Sequence, residues 1–414
     1  MTATTADVSL RVALVSPSCD RRACGIGDYT SLLATSLDEL GISVTILHEP
    51  ADGLLSTRLG PTGVRCVPIP RIGTRKGLEQ VNSWLAANTP SIVHIQYQHL
   101  LYESLPWIYL LPGRARRLPG TDKVAVTVHD SLEPFFFRGA GLLRGRLMRR
   151  LLSRPTDVIV STLELRDYCQ RRSPNSDRVF VVPIGPSIPS TASADARFEV
   201  EIDRQRAGRH LAVCFGQLAP NRGQHLLVEA IAAMSAELRQ RLLVWIVGAD
   251  APYADQTGRD YRAQVATRLH DLGLVGTVCV DDYRPPEQVS ALLRQCDFVV
   301  APRLGGYSPT STVALSAIAH RKPMLTLLGA ASTQHPLPPR AAAMVQPTTG
   351  ALARGLERAV QQDLWPVGWQ EEVSALAEEI SWRRIATAHA AIYASNTALP
   401  LDANSPIESG VNGC

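Results

Sequence analysis

The chain has 414 residues, 42 Lys and Arg against 38 Asp and Glu, and an apolar share of 45%. This length and composition are typical of a folded protein of about two domains and exclude a disordered chain. No apolar run reaches the roughly 18 residues of a spanning helix, the eight cysteines form no Cys-x-x-Cys or zinc-type pattern, and no signal-peptide pattern opens the chain. We therefore expect a cytoplasmic protein with reduced thiols, no metal site and no cofactor.

The first predicted unit is a buried strand, a glycine-bearing loop and an amphipathic helix over residues 11–41. The glycines of the loop would let its backbone approach a ligand closely. Asp28 and Tyr29 begin the helix and either contact an acceptor or phosphate or serve as a helix cap and a packing aromatic. The candidate contacts of this loop are Gly25, Ile26, Gly27, Asp28 and Tyr29.

Further short, β-branched strands follow in the first half and are apolar on both faces, which is typical of a parallel sheet covered by helices. They are predicted near residues 43–48, 92–96, 124–129, 158–162 and 179–183. Gln96 and Tyr97 end one of these strands, and His129 and Asp130 end another. A polar side chain at a strand end is a candidate ligand contact or a structural residue.

A basic stretch lies between Arg138 and Arg154, where arginines alternate with leucines and no acid intervenes. Such an amphipathic helix either lies on an anionic membrane surface or packs on the sheet with a solvated arginine face. Its arginines in the helical pattern are Arg144, Arg146, Arg149 and Arg150. The basic excess is local and lacks interleaved aromatics, which disfavours nucleic acid as a partner.

After an aperiodic stretch at 186–208, the strand, loop and helix design recurs at 210–234, with a loop from Gly216 and Gln217 to Arg222 and Gly223. A later strand ends at Ala301 and leads to a second helix start. There we expect Ser308 as the helix cap, Pro309 in the first turn, and hydroxyl groups at Thr310, Ser311 and Thr312.

Helix N-termini with free N–H groups suit an anion, and Arg222 would add a formal positive charge. The two helix starts of the second half therefore predict a phosphate site. The alternative is that these helix starts bind no ligand, because a doubly wound protein has many strand-to-helix turns and most of them bind nothing. A long helix is predicted over 370–394, and the residues beyond 396 are predicted to form a loose tail.

In order and spacing these segments resemble family 4 glycosyltransferases of the GT-B fold, and a bacterial branch with a loop like Cys24-Gly-Ile-Gly-Asp-Tyr-Thr30. The other matching segments are Ile92–Tyr97, Val126–Asp130, Phe180–Gly185, Phe215–Gly223, Trp245–Gly248, Cys296–Pro302 and Ile380–Ile385 with Tyr393. The resemblance implies two Rossmann-like doubly wound α/β domains that face a cleft, and a C-terminal helix that returns to the first domain. We expect an acceptor-side domain at 1–190, a linker at 191–208, a nucleotide-sugar domain at 209–375, the crossing helix at 376–395 and the tail at 396–414.

The resemblance implies sugar transfer from a nucleoside diphosphate with retention at the anomeric carbon. No metal is expected, because Arg222 and the backbone and hydroxyl groups of 308–311 can stabilise the diphosphate and the sequence has no Asp-x-Asp element. The resemblance also implies that His129 orients the donor sugar, that Arg222 stabilises the leaving diphosphate, and that Tyr283 and Arg284 hold the base mostly by backbone. The implied donor-binding residues are Gly216, Gln217, Gly223, Tyr283, Arg284, Ser308, Thr310, Ser311, Thr312 and Ser316. The candidate acceptor contacts are the strand-end residues Gln96, Tyr97 and Asp130.

The chain departs from the family pattern at the diphosphate. Ser308 and Ser316 stand where most members carry two glutamates, and Gln217 and Arg222 stand where an Arg and a Lys are usual. We therefore expect a glycosyltransferase with a nucleotide-sugar donor, an unidentified acceptor and a possible membrane contact at 138–154. The alternative is a catalytically silent relative that binds a sugar nucleotide or supports a partner transferase. A nucleotide-sugar epimerase is disfavoured because it needs carboxylates to move protons.

Overall fold

The computed structural model describes residues 10–19, 24–50, 58–59, 63–102, 106–131, 141–190, 195–250, 261–308, 310–330 and 342–395. The tail at 396–414, Pro309, Arg138 and the start of the predicted linker lie outside the described residues. The chain divides into two compact units. Unit 1 comprises Met1–Ile184 with Trp382–Cys414, and unit 2 comprises Gly185–Ser381.

Unit 1 is built on an eight-stranded sheet in the order β3-β4-β2-β1-β5-β6-β7-β8. All neighbouring strands are parallel except β3 and β4. The strands are β1 Arg11–Ser16, β2 Ser43–His48, β3 Arg58–Leu59, β4 Val64–Pro68, β5 Ile92–Tyr97, β6 Lys123–Val128, β7 Asp157–Val160 and β8 Val179–Val181. β5, β6 and β7 are buried along their whole length, as expected for strands with helices on both faces.

The helices of unit 1 cover both faces of this sheet. They are α1 Gly25–Glu39, α2 Arg75–Asn88, α3 Leu111–Ala115, α4 Gly141–Ser153, α5 Leu163–Gln170 and, at the far end of the chain, α14 Trp382–Ala394. Short 3-10 helices span His99–Tyr102, Pro106–Leu110 and Ser176–Arg178.

The return of α14 to unit 1 agrees with the expected fold. Its residues Ile385 and Ile392 are buried in the same core as Leu33 and Leu37 of α1. The buried ammonium of Lys123 donates to the carbonyl oxygens of Ile392 (3.0 Å) and Ser395, at the negative end of the helix. A single helix over 370–394 was expected, but the structure has two helices that break at Ile380 and Ser381.

Unit 2 is built on a six-stranded parallel sheet in the order β11-β10-β9-β12-β13-β14. The strands are β9 His210–Phe215, β10 Leu242–Val247, β11 Val278–Asp281, β12 Phe298–Ala301, β13 Met324–Leu327 and β14 Ala342–Val345. The helices are α6 Ala196–Arg206, α7 Gln224–Ala233, α8 Ala236–Gln240, α9 Tyr261–Asp271, α10 Pro286–Gln295, α11 Thr312–Ala319, α12 Thr349–Val360 and α13 Trp369–Glu379, with a 3-10 turn at Pro220–Arg222. This strand order is that of a Rossmann-type doubly wound sheet.

The expected linker at 191–208 is wrong where the structure describes it, because α6 lies there and belongs to unit 2. Asp195 caps the helix by accepting from the N–H of Phe198 at 3.1 Å. Phe198 and Ile202 are buried, and the ring of Phe198 packs edge-on against Trp245 with centroids 5.8 Å apart. Two apolar residues four apart suffice to bury one helix face, although the surrounding composition is polar.

None of the helices that the structure describes is long and apolar enough to cross a bilayer.

Candidate functional site

The carboxyl ends of β9 and β12 mark the point in unit 2 where the strand order reverses. In open parallel sheets, ligands bind in the crevice at this switch point because the loops on its two sides run in opposite directions. The loop after β9 is Gly216–Gly223, and the loop after β12 begins at Pro302. The backbone N–H of Leu304 donates to the carbonyl oxygen of Asn221 at 3.2 Å, which joins the two loops.

Glycines permit this close packing at two positions. Gly223 has φ +76°, and a Cβ there would overlap the carbonyl oxygen of Pro302. Gly216 has φ +115°, and its α-carbon faces Val313 in the first turn of α11, so that a Cβ would lie 3.3 Å from that side chain. The loop after β9, the loop after β12 and the start of α11 therefore converge on one place.

Two arginines lie together at this place. Arg222 ends the 3-10 turn after β9, Arg303 follows β12, and both are half-buried. Burial and the neighbouring charge of Arg303 lower the pKa of Arg222 from its ordinary value, although a guanidinium stays protonated. Within the described part of the chain, neither guanidinium has an ion pair. Two partly desolvated like charges that act on each other make this place a candidate site for an anion.

The sequence predicted Arg222 but missed Arg303. The sequence does contain a signal for Arg303, because this residue comes two positions after the end of a buried strand, where polar ligand contacts are often found.

The start of α11 differs from the expectation that Ser308 caps it. The helix begins at Thr312, and Ser311 is its cap, accepting from the N–H of Ala314 at 3.5 Å. Ser308 instead forms a turn, in which its hydroxyl lies 3.0 Å from that of Thr310 and its carbonyl accepts from Ser311. Ser308, Thr310 and Thr312 still present half-buried hydroxyls before the first free N–H groups of the helix.

Ser316 does not lie where a ribose contact requires it. Its side chain is fully buried, and its hydroxyl accepts from the N–H of Ile188 at 3.1 Å and lies 3.4 Å from the hydroxyl of Ser187. The residue therefore anchors the start of unit 2 on α11 and presents no accessible atom to a ligand.

Of the two residues expected to hold the base, Tyr283 has an accessible side chain, whereas the side chain of Arg284 is occupied by contacts within unit 2. Tyr283 is 41% exposed. The guanidinium of Arg284 donates to Asp281 at 3.0 and 3.1 Å and to Gln288 at 3.1 Å, and it covers the ring of Phe198. Arg284 is therefore structural through its side chain, and only its backbone fits the expected role. Gln217, by contrast, is exposed next to Gly216.

In unit 1, His129 follows β6 and is held by Gln96 of β5. Its Nε2 lies 2.8 Å from the amide oxygen of Gln96, so Nε2 carries the proton and donates it. The Nδ1 of His129 is therefore the acceptor of a neutral ring. Burial, with a contribution from His389, lowers the pKa of His129 to about 3, which keeps the ring neutral at physiological pH.

Behind His129 lies a buried network that the sequence did not reveal. The amide nitrogen of Gln96 approaches Nε2 of His94 (3.4 Å), and His94 contacts Thr127 and Tyr393 at 2.7 Å each. These contacts orient Gln96 and, through it, His129. The signal in the sequence was the period-2 placement of His94 and Gln96 on one strand face, but their partner on α14 is about 300 residues away.

Tyr29 belongs to the same network rather than to a ligand contact. Nδ1 of His389 donates to the carbonyl of Ile385 at 2.8 Å, so the Tyr29 hydroxyl donates to Nε2 of His389 at 3.2 Å. The ring of Tyr29 packs edge-on to His129 and Trp382 with centroids 5.0 and 5.5 Å away. The packing role, one of the two alternatives, is the one that the structure has.

The expected loop at Gly25–Tyr29 is instead the first turn of α1. Cys24 caps this helix, accepting from the N–H of Gly27 at 3.3 Å. Ile26 and Asp28 are buried, whereas Gly25 is exposed and has no atom within 4 Å of where its Cβ would lie. Only Gly25 keeps the open approach that was expected of the whole segment.

Of the expected acceptor contacts, Tyr97 is wrong. It is fully buried, and its hydroxyl is 2.6 Å from that of Tyr109 and donates to the sulfur of Met148. Gln96 is also buried and acts through His129, while Asp130 is half-buried directly after it.

The expectation that no metal ligands cluster also differs from the structure. Cys19, His48 and Cys66 of unit 1 are brought together although they are far apart in sequence. In unit 2, the described residues hold no comparable group of three ligand side chains.

Comparisons with known proteins agree with this architecture. A glycosyl transferase 4-like domain matches residues 24–185, and a glycosyl transferases group 1 domain matches residues 209–362, together well over half of the chain. No curated protein matches the sequence.

Solved structures share the fold at low identity. Anabaena HepE in complex with UDP and glucose has 16% identity and a TM-score of 0.67, over 92% of this chain and 98% of that one. A glycosyltransferase from Rickettsia africae has 12% identity and a TM-score of 0.68, over 93% and 98%. WaaG, a glycosyltransferase involved in lipopolysaccharide biosynthesis, has 16% identity and a TM-score of 0.61, over 93% and 100%.

Two Rossmann-type units with a switch-point site define a protein of the GT-B class, and the chain is an enzyme of this class. It belongs to the family 4 type of nucleotide-sugar glycosyltransferases.

Proposed function

We propose that the enzyme transfers a sugar from a nucleoside diphosphate to an acceptor hydroxyl with retention, and that unit 2 holds the diphosphate between Arg222 and Arg303. The observation that carries the proposal is the pairing of these two arginines where the loops after β9 and β12 meet the start of α11. The complexes of Anabaena HepE with UDP and with UDP-glucose support a uridine nucleotide as the first donor to test.

Sugar transfer requires that the enzyme stabilise the leaving group, which is the nucleoside diphosphate. As the bond from the anomeric carbon to the phosphate oxygen breaks, its electron pair goes to the diphosphate. Two guanidinium groups and the free N–H groups of α11 stabilise that charge without having to reorganise. The acceptor oxygen forms its bond on the same face of the sugar, and its proton passes to the departing phosphate oxygen, so no separate base is needed.

Charge compensation by the protein, rather than by a metal, fits the residues at this site. Metals that assist phosphate chemistry are held by oxygen ligands, typically carboxylates. The described residues of the loops after β9 and β12 and of the start of α11, at 216–223, 302–308 and 310–313, include no Asp or Glu. We therefore propose that diphosphate departure is metal-independent.

We assign to His129 a hydrogen bond with a sugar hydroxyl of the donor. What supports this role is the fixed tautomer, in which Gln96 holds Nε2 and Nδ1 remains an acceptor. A neutral ring accepts a hydroxyl proton without placing a charge beside the anomeric carbon. Asp130, the next residue, is proposed as an acceptor contact together with the open position at Gly25.

We also propose that α4 lies at the cytoplasmic face of an anionic membrane. Leu142 and Leu143 in its first turn are 81% and 44% exposed, and Arg146 and Arg149 are exposed beyond them. The rest of the apolar face packs into the core through residues such as Met148, which is the packed arrangement that the sequence left open. Exposed leucines beside arginines suit a lipid headgroup surface.

The test of the transfer proposal combines binding with turnover. Purified enzyme is incubated with UDP-, GDP-, ADP- and dTDP-sugars, and thermal stabilisation and slow hydrolysis of the donor are followed. We expect stabilisation by one nucleotide class, with hydrolysis reduced about 100-fold or more in both Arg222→Ala and Arg303→Ala.

Arg268→Ala is the matched control, because Arg268 is an exposed arginine of unit 2 paired with Glu229. It should leave both readouts unchanged. Normal hydrolysis in Arg222→Ala and Arg303→Ala would contradict the assignment of the diphosphate site. Binding of a donor without any turnover, even with varied acceptors, would contradict the proposed reaction.

A further inference from the structure

Three side chains of types that bind metal ions lie close together inside unit 1. None of them is among the residues assigned to sugar transfer. Cys19 follows β1, His48 ends β2 and Cys66 lies within β4. Their exposed fractions are 2%, 4% and 3%. One donor atom of each lies within 4.8 Å of the other two.

The sheet register explains why the three meet. β4, β2 and β1 are neighbours, with Cys66 opposite Ile46 and His48 opposite Ser16. Aligned residues of neighbouring strands point to the same face, and residues two apart on one strand do so as well. Cys66 and His48 therefore share the face covered by α1, and the turn after β1 returns Cys19 to it.

His48 is held in the tautomer that a metal requires. Its Nδ1 lies 2.8 Å from the carbonyl oxygen of Glu49, so Nδ1 donates its proton and Nε2 keeps a lone pair. The carboxylate of Glu49 in turn accepts from the N–H groups of Arg71 (2.7 Å) and Ile72 (2.6 Å). A histidine oriented through its second nitrogen, with its partner itself anchored, is the usual arrangement around metal-ligating imidazoles.

We propose that Cys19, Cys66 and Nε2 of His48 bind a soft divalent metal ion, zinc in the first place, with the fourth position taken by water or another ligand. Tetrahedral zinc holds sulfur and nitrogen ligands about 3.6 to 3.8 Å apart, so donors already within 4.8 Å need only a small inward shift. Both thiols lose their protons to solvent on binding. Two thiolates and a divalent ion together make a site without net charge, which suits burial.

The ion would connect the segment after β1 to β2 and β4. The carbonyl oxygen of Cys19 accepts from the hydroxyl of Ser31 in α1 at 2.7 Å, so the metal would join these strands to α1.

The experiment titrates the metal-free full-length enzyme with Co²⁺, a spectroscopic substitute for zinc, and measures zinc content by mass spectrometry. We expect one equivalent of either metal. The cobalt form should show the sulfur-to-cobalt charge-transfer band and the visible bands of a tetrahedral thiolate site. Zinc binding to the unaltered chain should release about two protons, measured in weak buffer.

The variants Cys19→Ser, Cys66→Ser and His48→Gln should weaken zinc binding at least 10-fold to 100-fold, as loss of a ligand or its support does. Cys169→Ser is the control, since Cys169 is a buried thiol of unit 1 outside the cluster, and should bind normally. Because the proton release and the cobalt spectrum are measured on the unaltered chain, a variant that fails to fold does not decide the outcome.

Substoichiometric zinc, a cobalt spectrum without the sulfur band, or unchanged affinity in both cysteine variants would overturn the proposal. The proposal would also be overturned if the protein is purified with a Cys19–Cys66 disulfide and binds no metal after this disulfide is reduced. Loss of sugar transfer in the arginine variants does not bear on these readouts, so failure of either proposal is recognised separately.

Discussion

His389 makes the stability of unit 1 depend on pH. It is fully buried, and burial lowers its pKa to about 4. An imidazole in the unfolded chain titrates near 6.5, so between these values the unfolded state binds a proton that the native state does not. The free energy of unfolding therefore rises with pH across this window. The contribution of His389 to stability is complete above pH 6.5 and is lost as the pH falls toward 4.

We expect the free energy of unfolding to fall by up to about 3 kcal/mol through His389 alone when the pH drops from about 7 to about 4. His389→Gln should flatten this dependence by close to one proton, as measured by urea unfolding at a series of pH values. His270→Gln is the control, because the side chain of His270 is 85% exposed. Equal slopes in the wild type and His389→Gln would contradict the prediction.

Single residues divide sharply into those that the sequence could identify and those that it could not. Arg222 was found because its loop feeds a helix start, a local signal. The ligand contacts expected of Ser316 and Tyr97 were wrong because both side chains are buried. Ser316 is covered by the segment at Ile188, and Tyr97 is covered by Tyr109. The spacing of residues in the sequence does not reveal either contact. The cluster at Cys66 was missed because it needs the register between β2 and β4.

At the scale of elements, α4 carries two different surfaces on one helix. Met148 and Leu151 are fully buried in the core of unit 1, whereas the first turn exposes Leu142 and Leu143. Helical periodicity predicts an amphipathic helix here, but it does not show how far the packed face extends along the helix. The structure divides it into a packed C-terminal part and an open N-terminal part.

The proposed membrane contact of α4 gives a charge-reversal prediction. Arg146→Glu with Arg149→Glu should abolish most pelleting with anionic vesicles of phosphatidylglycerol and phosphatidylcholine, since each basic residue at such a surface contributes about 1 kcal/mol. Arg268→Glu with Arg358→Glu reverses the same charge on exposed arginines of unit 2 and should pellet normally. Pelleting that is unaltered in the α4 variant would contradict the contact.

For the whole molecule, the fold was more predictable than its boundaries. Buried β-branched strands before helix signals gave most of the two parallel sheets, because that pattern is local. The short strands β3, β4, β13 and β14 were not predicted, and the break between units came at Ile184 rather than at a polar linker. Such features depend on which strands pair and on which core a helix joins, and neither is encoded in composition.

Each unit has its own hydrophobic core, so a bound nucleotide should stabilise the molecule unevenly. A ligand that binds only the native state stabilises it by about 2.7 kcal/mol at 100 times its Kd, and the gain falls on the elements that it contacts. With UDP, or the nucleotide found in the binding panel, amide hydrogen exchange should slow most at residues 216–223, 302–308 and 310–315. β7 and α5 in unit 1 should change little. The double variant Arg222→Ala/Arg303→Ala should lose the slowing, and protection centred on unit 1 instead would place the nucleotide elsewhere.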